Sequence, residues 1–324
     1  MTHFLTIPIN EDGIIFDPNI DGEIKAAAVP PFQFTDVFIY SHGWWNTASS
    51  AASEYNVFSI GFSKSLLPLI ASAPTQVPRV TPAFSALSMG IHWPSMISEN
   101  QDSVSNFFEA TSFFTMQSRA DTVGANAGYA LLRLLIEARQ GQPPLRVNMI
   151  GHSFGCRVVC SALESLVGDA ATLSLANAVI AELNVVLLQG AMDTGSLAVG
   201  GQYGDVLPKF PNLRLLVTVS QNDKALGTWY PIAQNLAHLF HGPVPALGFA
   251  GPSGNLAIPM SDRLSLQAFP APVPVQQGQF AVVDLTPLHI AHAEAWGDTG
   301  GWAGQHSDIN LPEIYELLAR FFGN

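Results

Sequence analysis

The run Val147-Asn148-Met149-Ile150-Gly151-His152-Ser153-Phe154-Gly155 constrains this chain more than any other segment. A short apolar stretch, which reads as a buried strand, stops at Gly-His-Ser-Phe-Gly. A helical stretch, Cys156 to Val167, follows at once. A turn that tight forces Ser153 into a strained backbone conformation, and glycine at 151 and 155 lets strand and helix pass close together. The serine Oγ is thereby lifted clear of the sheet. It stands at a helix N-terminus, where free N–H groups favour developing negative charge. An ordinary glycine-rich turn can carry the same five letters, but the strand before it and the helix after it predict a nucleophilic serine.

The order of elements sets the frame around that turn. The first residues, about 1–20, predict a small β-hairpin: Phe4 to Ile9, a turn at Glu11-Asp12-Gly13, then Ile14 to Phe16. A strong strand, Asp36 to Ser41, ends at His42-Gly43-Trp44-Trp45-Asn46. A helix over about 51–71 follows, then a strand near 86–93 that stops at Trp93-Pro94-Ser95. A long helix is expected over about 119–139, with apolar Val123, Ala127, Leu131, Leu134, Leu135 and Ala138 at helical spacing. Gly124 and Gly128 sit on or beside that face and would let the helix lie close to its partner. Apolar runs recur at 183–188, 213–219 and 280–285, and a closing helix spans about 311–322.

Strands and helices alternate, and several strands are apolar throughout. That pattern predicts an α/β fold with a mostly parallel central sheet covered by helices on both faces. Neither a repeat nor a linker divides the chain, so residues 1–324 read as one domain. An insertion over about 225–279 is rich in proline and has only Asp262 and Arg263 as charged residues. It predicts a cap whose apolar inner face binds an acyl or aromatic group. Phe107-Phe108 with Phe113-Phe114 form a second apolar candidate.

Hydrophobic residues make up 48 % of the chain and charged ones 12 %, with a formal net charge of −12. The acidity argues against nucleic acid, whose phosphates need Lys and Arg. It gives no support for an anionic membrane surface. So little charge implies a large apolar interior, an apolar cleft, or a homo-oligomer interface. No stretch reaches the roughly eighteen apolar residues of a transmembrane helix. The first six residues lack the features of a signal peptide. A cytoplasmic protein is the expectation. Cys156 and Cys160, one helical turn apart, read as small core residues.

A serine hydroxyl near neutral pH needs a general base, a group to orient that base, and donors for the oxyanion that forms. His306, in the Gly-rich loop after Gly300-Gly301-Trp302-Ala303-Gly304-Gln305, is placed as the base at the carboxyl edge of the sheet. His289 and His292 compete, but they belong to a short apolar helix, 287–296. With Glu294 alone beside them they form no expected metal site. The orienting acid is Asp223, just past the strand ending near Val219, with Asp193 as its rival past the preceding strand. The oxyanion donors are the backbone N–H groups of Phe154 and Trp44. Trp45 and His152 are the candidate substrate contacts.

His42-Gly43, Gly151-His152-Ser153-Phe154-Gly155, Asp223 and His306-Ser307-Asp308 stand in this order along the chain. From about Asp36 onward the sequence resembles the serine hydrolases of the α/β-hydrolase fold, an esterase- and lipase-like superfamily. With Trp93-Pro94-Ser95 it resembles a group of poorly characterised bacterial members. The resemblance implies a cofactor-free acyl-enzyme mechanism on a small ester-type substrate, with Ser153 attacking the carbonyl and His306 relaying its proton. A thioesterase, amidase or lactonase on the same side chains, and a non-catalytic hydrolase-like binding protein, are the alternatives. Epoxide and haloalkane hydrolases need a carboxylate where Ser153 stands. The second tryptophan after His42-Gly43 and the long insertion after Asp223 depart from the common pattern.

Overall fold

A computed structural model describes residues 3–28, 34–44, 46–72, 84–96, 110–237, 244–266, 275–297, 301 and 303–323. Among them, eight strands form one sheet: β1 (His3–Pro8), β2 (Asp36–Ser41), β3 (Ala86–His92), β4 (Leu145–His152), β5 (Ile180–Leu188), β6 (Leu213–Val219), β7 (Met260–Ser265) and β8 (Gln279–Asp284). Their order is β1-β3-β2-β4-β5-β6-β8-β7, and every neighbouring pair runs parallel. The helices are α1 (Ile20–Ala28), α2 (Ala48–Ser72), α3 (Ala110–Val123), α4 (Tyr129–Ala138), α5 (Gly155–Gly168), α6 (Ala170–Val179), α7 (Tyr230–Ala237), α8 (Leu247–Ala250), α9 (Thr286–Trp296) and α10 (Pro312–Gly323).

A parallel sheet needs cover on both faces, because its crossovers place helices there. Successive strand residues alternate between two cores. Val37, Ile39, Val147, Met149, Val185 and Leu187 face a core shared with α1, α3, α4 and α5. Phe38, Tyr40, Ile150, Val186 and Leu188 face a second core built with α2 and α10. This explains why β2, β4, β5 and β6 read as continuous apolar runs, since both halves of each strand's two-residue period are buried.

Three sequence expectations take a more particular form in space. The long helix begins earlier than its periodicity predicts, at Ala110, because Phe113, Met116 and Ala120 extend the buried stripe. It runs through a π-helical turn at Gly124–Gly128 into α4. The partner that its glycines admit is α5: a Cβ on Gly124 would lie 2.3 Å from the carbonyl oxygen of Val158. The first arm of the N-terminal hairpin is β1, an edge strand of the main sheet, and its return meets it in an isolated bridge between Ile9 and Ile15. The insertion after Asp223 supplies α7 and α8, returns across the carboxyl ends of β5 and β6 through Leu247 N to Met192 O and Ser220 N to Gly248 O, and then forms the opposite edge strand, β7.

The helix that follows Ser153 is therefore held from behind by a backbone contact without room for a methyl group. Gly124→Ala should destabilise the protein by about 1–3 kcal/mol, the cost of overpacking a core site. A drop of several degrees in Tm by calorimetry is expected, and an unchanged Tm would show that the two helices separate freely.

Candidate active site

β4 ends at His152 and α5 begins at Gly155, so Ser153 and Phe154 alone make the turn. Ser153 has φ +56°, a left-handed conformation that costs a non-glycine residue about 1 kcal/mol or more. The neighbours hold it there: its N–H donates to Leu188 O (3.0 Å), and its carbonyl accepts from Cys156 N and Ala191 N (both 3.1 Å). The flanking glycines are clearances. A Cβ on Gly155 would sit 2.1 Å from Ser41 O, and one on Gly151 would sit 2.5 Å from Gly155 O.

Two distant loops meet the serine. His306 Nε2 lies 2.8 Å from Ser153 Oγ, and His306 Nδ1 lies 2.6 Å from Asp223 Oδ2. A carboxylate only accepts, so Nδ1 carries the proton and Nε2 is free to accept from the serine hydroxyl. Asp223 is fully buried and takes two further donors, Leu226 N on Oδ1 (2.9 Å) and Gln189 Nε2 on Oδ2 (2.8 Å). The loop carrying His306 is laced to the loop carrying Asp223 by Ala225 N to Ala303 O (3.1 Å) and Gln305 N to Asn222 O (3.3 Å).

Gln189 is a residue that sequence reasoning passed over. It follows β5 with φ +44°, and its side-chain amide also donates to Gln305 O (3.2 Å). One side chain thus ties the acid to the histidine's loop. The available signal was its position: it ends the strand between those of Ser153 and Asp223. The rival acid Asp193 is engaged elsewhere, accepting from Tyr230 Oη (2.7 Å) and Gln234 Nε2 (3.4 Å).

The other histidines are braces. His289 shares a hydrogen bond with Ser220 Oγ (2.8 Å), and burial pushes its pKa down to about 4. His292 Nε2 lies 3.4 Å from a Glu313 carboxylate oxygen on α10. His152 does not face the pocket: its Nε2–H donates to His306 O (3.0 Å), and burial, with His306 beside it, lowers its pKa to about 3. His42 Nδ1–H donates to Gly43 O (2.8 Å), its Nε2 accepts from Trp93 N (3.4 Å), and burial takes its pKa to about 3. Trp93 stacks on that ring at 5.4 Å and donates Nε1–H to His42 O, while Ser95 Oγ exchanges hydrogen bonds with the backbone of Asn46. Trp93-Pro94-Ser95 is thus the brace of the His42–Asn46 loop.

A pocket of about 100 Å³ opens beside the serine. Trp44, Phe113 and Phe154 form an aromatic wall, and Ala191, Ala225 and Leu226 an aliphatic one. Ala303, His306 and Ser307 close the side toward the histidine loop. Trp45, Phe107 and Phe108 lie outside the described residues. Among the described residues, no group of three or more His, Cys, Asp or Glu side chains could hold a metal ion. Nor is any single helix among them long and apolar enough to cross a membrane.

Residues 37–241 match the family model DUF900, an alpha/beta hydrolase of unknown function. The chain belongs to this family. A comparison with the curated proteins finds no match. The DUF900 match runs from β2 through α7, so it contains Ser153, Gln189 and Asp223 and stops short of His306. In this DUF900 hydrolase the histidine reaches the serine by tertiary contact alone.

The buried imidazoles of His42, His152 and His289 titrate below the ordinary histidine range. The unfolded chain binds protons near pH 6.5 while the folded chain refuses them until about 3 to 4. Stability from these groups is therefore complete above 6.5 and is lost as pH falls below it. Each contributes a slope of up to roughly 1.4 kcal/mol per pH unit, so together about 4. Urea unfolding at pH 7, 6 and 5 should show a steepening loss of stability before the ordinary carboxylates protonate. A flat profile would mean that these rings take up protons in the folded state.

Proposed function

We propose that this protein is a serine hydrolase that cleaves carboxylic esters through an acyl-enzyme. The observation that carries the reading is the unbroken hydrogen-bonded chain from Asp223 through His306 to Ser153, 2.6 and 2.8 Å long, ending on a serine held at φ +56°. Ser153 Oγ attacks the ester carbonyl as His306 Nε2 takes its proton. Asp223, held by Gln189 and Leu226 N, keeps Nδ1 protonated and offsets the imidazolium charge. The tetrahedral oxyanion accepts from the Phe154 and Trp44 backbone N–H groups. Carbonyl and following N–H point opposite ways across a trans peptide, so the His42 bond to Gly43 O supports the aim of the Trp44 amide. Collapse expels the alkoxide, which takes the Nε2 proton, and water repeats the sequence to release the acid.

A fluorophosphonate probe read by intact-protein mass tests this directly. Wild type should gain one adduct and Ser153→Ala none; folded wild type that stays unlabelled would overturn the proposal. On an activated ester, Asp223→Asn should lose three to four orders of magnitude in kcat/KM, the order expected when the acid no longer fixes the histidine tautomer. Gln189→Ala removes one hydrogen bond to a buried carboxylate and should cost about tenfold to a hundredfold, with steady-state kinetics as the check. Equal losses for the two variants would show that Gln189 does more than position the acid.

A further inference from the structure

The pocket beside Ser153 sets a limit on what can be attached to the reacting carbonyl. Its volume is about 100 Å³. For scale, an apolar cavity of about 150 Å³ accommodates benzene, with six carbons. Two thirds of that space holds roughly four carbon atoms. Among the described residues of the aromatic and aliphatic walls no side chain is charged, so a carboxylate or ammonium group on the chain would be stranded there without a counter-charge.

The walls are also stiff. The Phe113 ring is 3 % exposed and lies 5.2 Å from Phe154 and 6.1 Å from Trp44. Behind it Tyr230 packs edge-on at 5.3 Å. Tyr230 cannot retreat, because its hydroxyl donates to Asp193 Oδ1 (2.7 Å) and accepts from Gln234 (3.0 Å). Asp193, the carboxylate that His306 does not use, thus anchors the ring that backs Phe113.

We propose that this pocket is an acyl subsite that admits an uncharged chain of about two to four carbons and rejects longer ones, with Phe113 as the residue that sets the limit. Trp44 and Phe154, whose amides hold the carbonyl oxygen in the mechanism above, also wall the pocket, so the group that fills it is the one retained on that carbonyl. The proposal rests on the serine-hydrolase reading. It also gives the apolar-substrate expectation an upper bound, since gains from added methylenes end where the wall begins.

The test uses p-nitrophenyl alkylphosphonates carrying methyl, butyl or octyl on phosphorus, which label an activated serine with loss of p-nitrophenol. Alongside them run p-nitrophenyl acetate, butyrate and octanoate. Methyl and butyl reagents should label wild type at least tenfold faster than octyl, and the ester kcat/KM series should fall in the same way, since a single misfitting methylene is worth about tenfold or more. Phe113→Ala should raise the octyl-to-methyl ratio by at least tenfold, with Phe113→Leu shifting it in the same direction in a more conservative background. Labelling that is flat or rises to octyl, or a ratio unmoved in both folded variants, would overturn the subsite and leave the serine reading standing. Failure of every phosphonate to label folded wild type would overturn the serine reading itself, and the subsite with it.

Discussion

Everything distinctive about this molecule is organised around a two-residue turn with no spare room. Ser153 and Phe154 reverse the chain between β4 and α5 while Ser41 O crowds Gly155 and Gly155 O crowds Gly151. The left-handed serine is the consequence, since no relaxed conformation fits a strand and a helix that close. The strain is tolerated because Leu188 O and the amides of Cys156 and Ala191 hold the serine backbone on both sides. These partners come from β5, the loop after it and α5, so the turn depends on the sheet's register. The sheet depends in turn on two apolar cores, one on each face.

Around the turn, polar side chains hold one another's loops in place. Gln189 donates both to Asp223 and to the loop that presents His306. His152 holds the carbonyl of His306 itself. His42 holds Gly43 O and is stacked and bonded by Trp93. Burial keeps these two rings neutral, so they act as fixed donors and acceptors in the working pH range. A histidine presented by a loop needs such support, because a loop alone cannot fix an imidazole to within a fraction of an ångström against a serine hydroxyl.

The insertion after Asp223 shows how one segment can serve two ends of the structure. Its first residues, Ala225 and Leu226, line the pocket, and Leu226 N bonds the Asp223 carboxylate. Its Tyr230 braces Phe113 from behind. Farther along, the same insertion leaves the site and becomes the edge strand β7. Its poverty in charge, read as a sign of a cap, also suits a segment that must cross the carboxyl ends of β5 and β6.

The sequence by itself determined the features that depend on local chemistry. The glycine-flanked serine between strand and helix, the doubly apolar strands and the helical periodicity before Gly141 all follow from steric clearance and burial over short spans. It also placed Asp223, Asp193 and His306 at one edge of the sheet, because each follows a strand. Only the tertiary structure put Asp223, and not Asp193, beside His306, since that contact joins residues 83 apart in the chain. It alone brought Gln189 onto Asp223, turned His152 away from the pocket onto a backbone carbonyl, and put β1 and β7 at the sheet's edges. Hydrogen bonds between residues far apart in the chain leave no mark on local composition; they exist only once the sheet order has set which loops are neighbours.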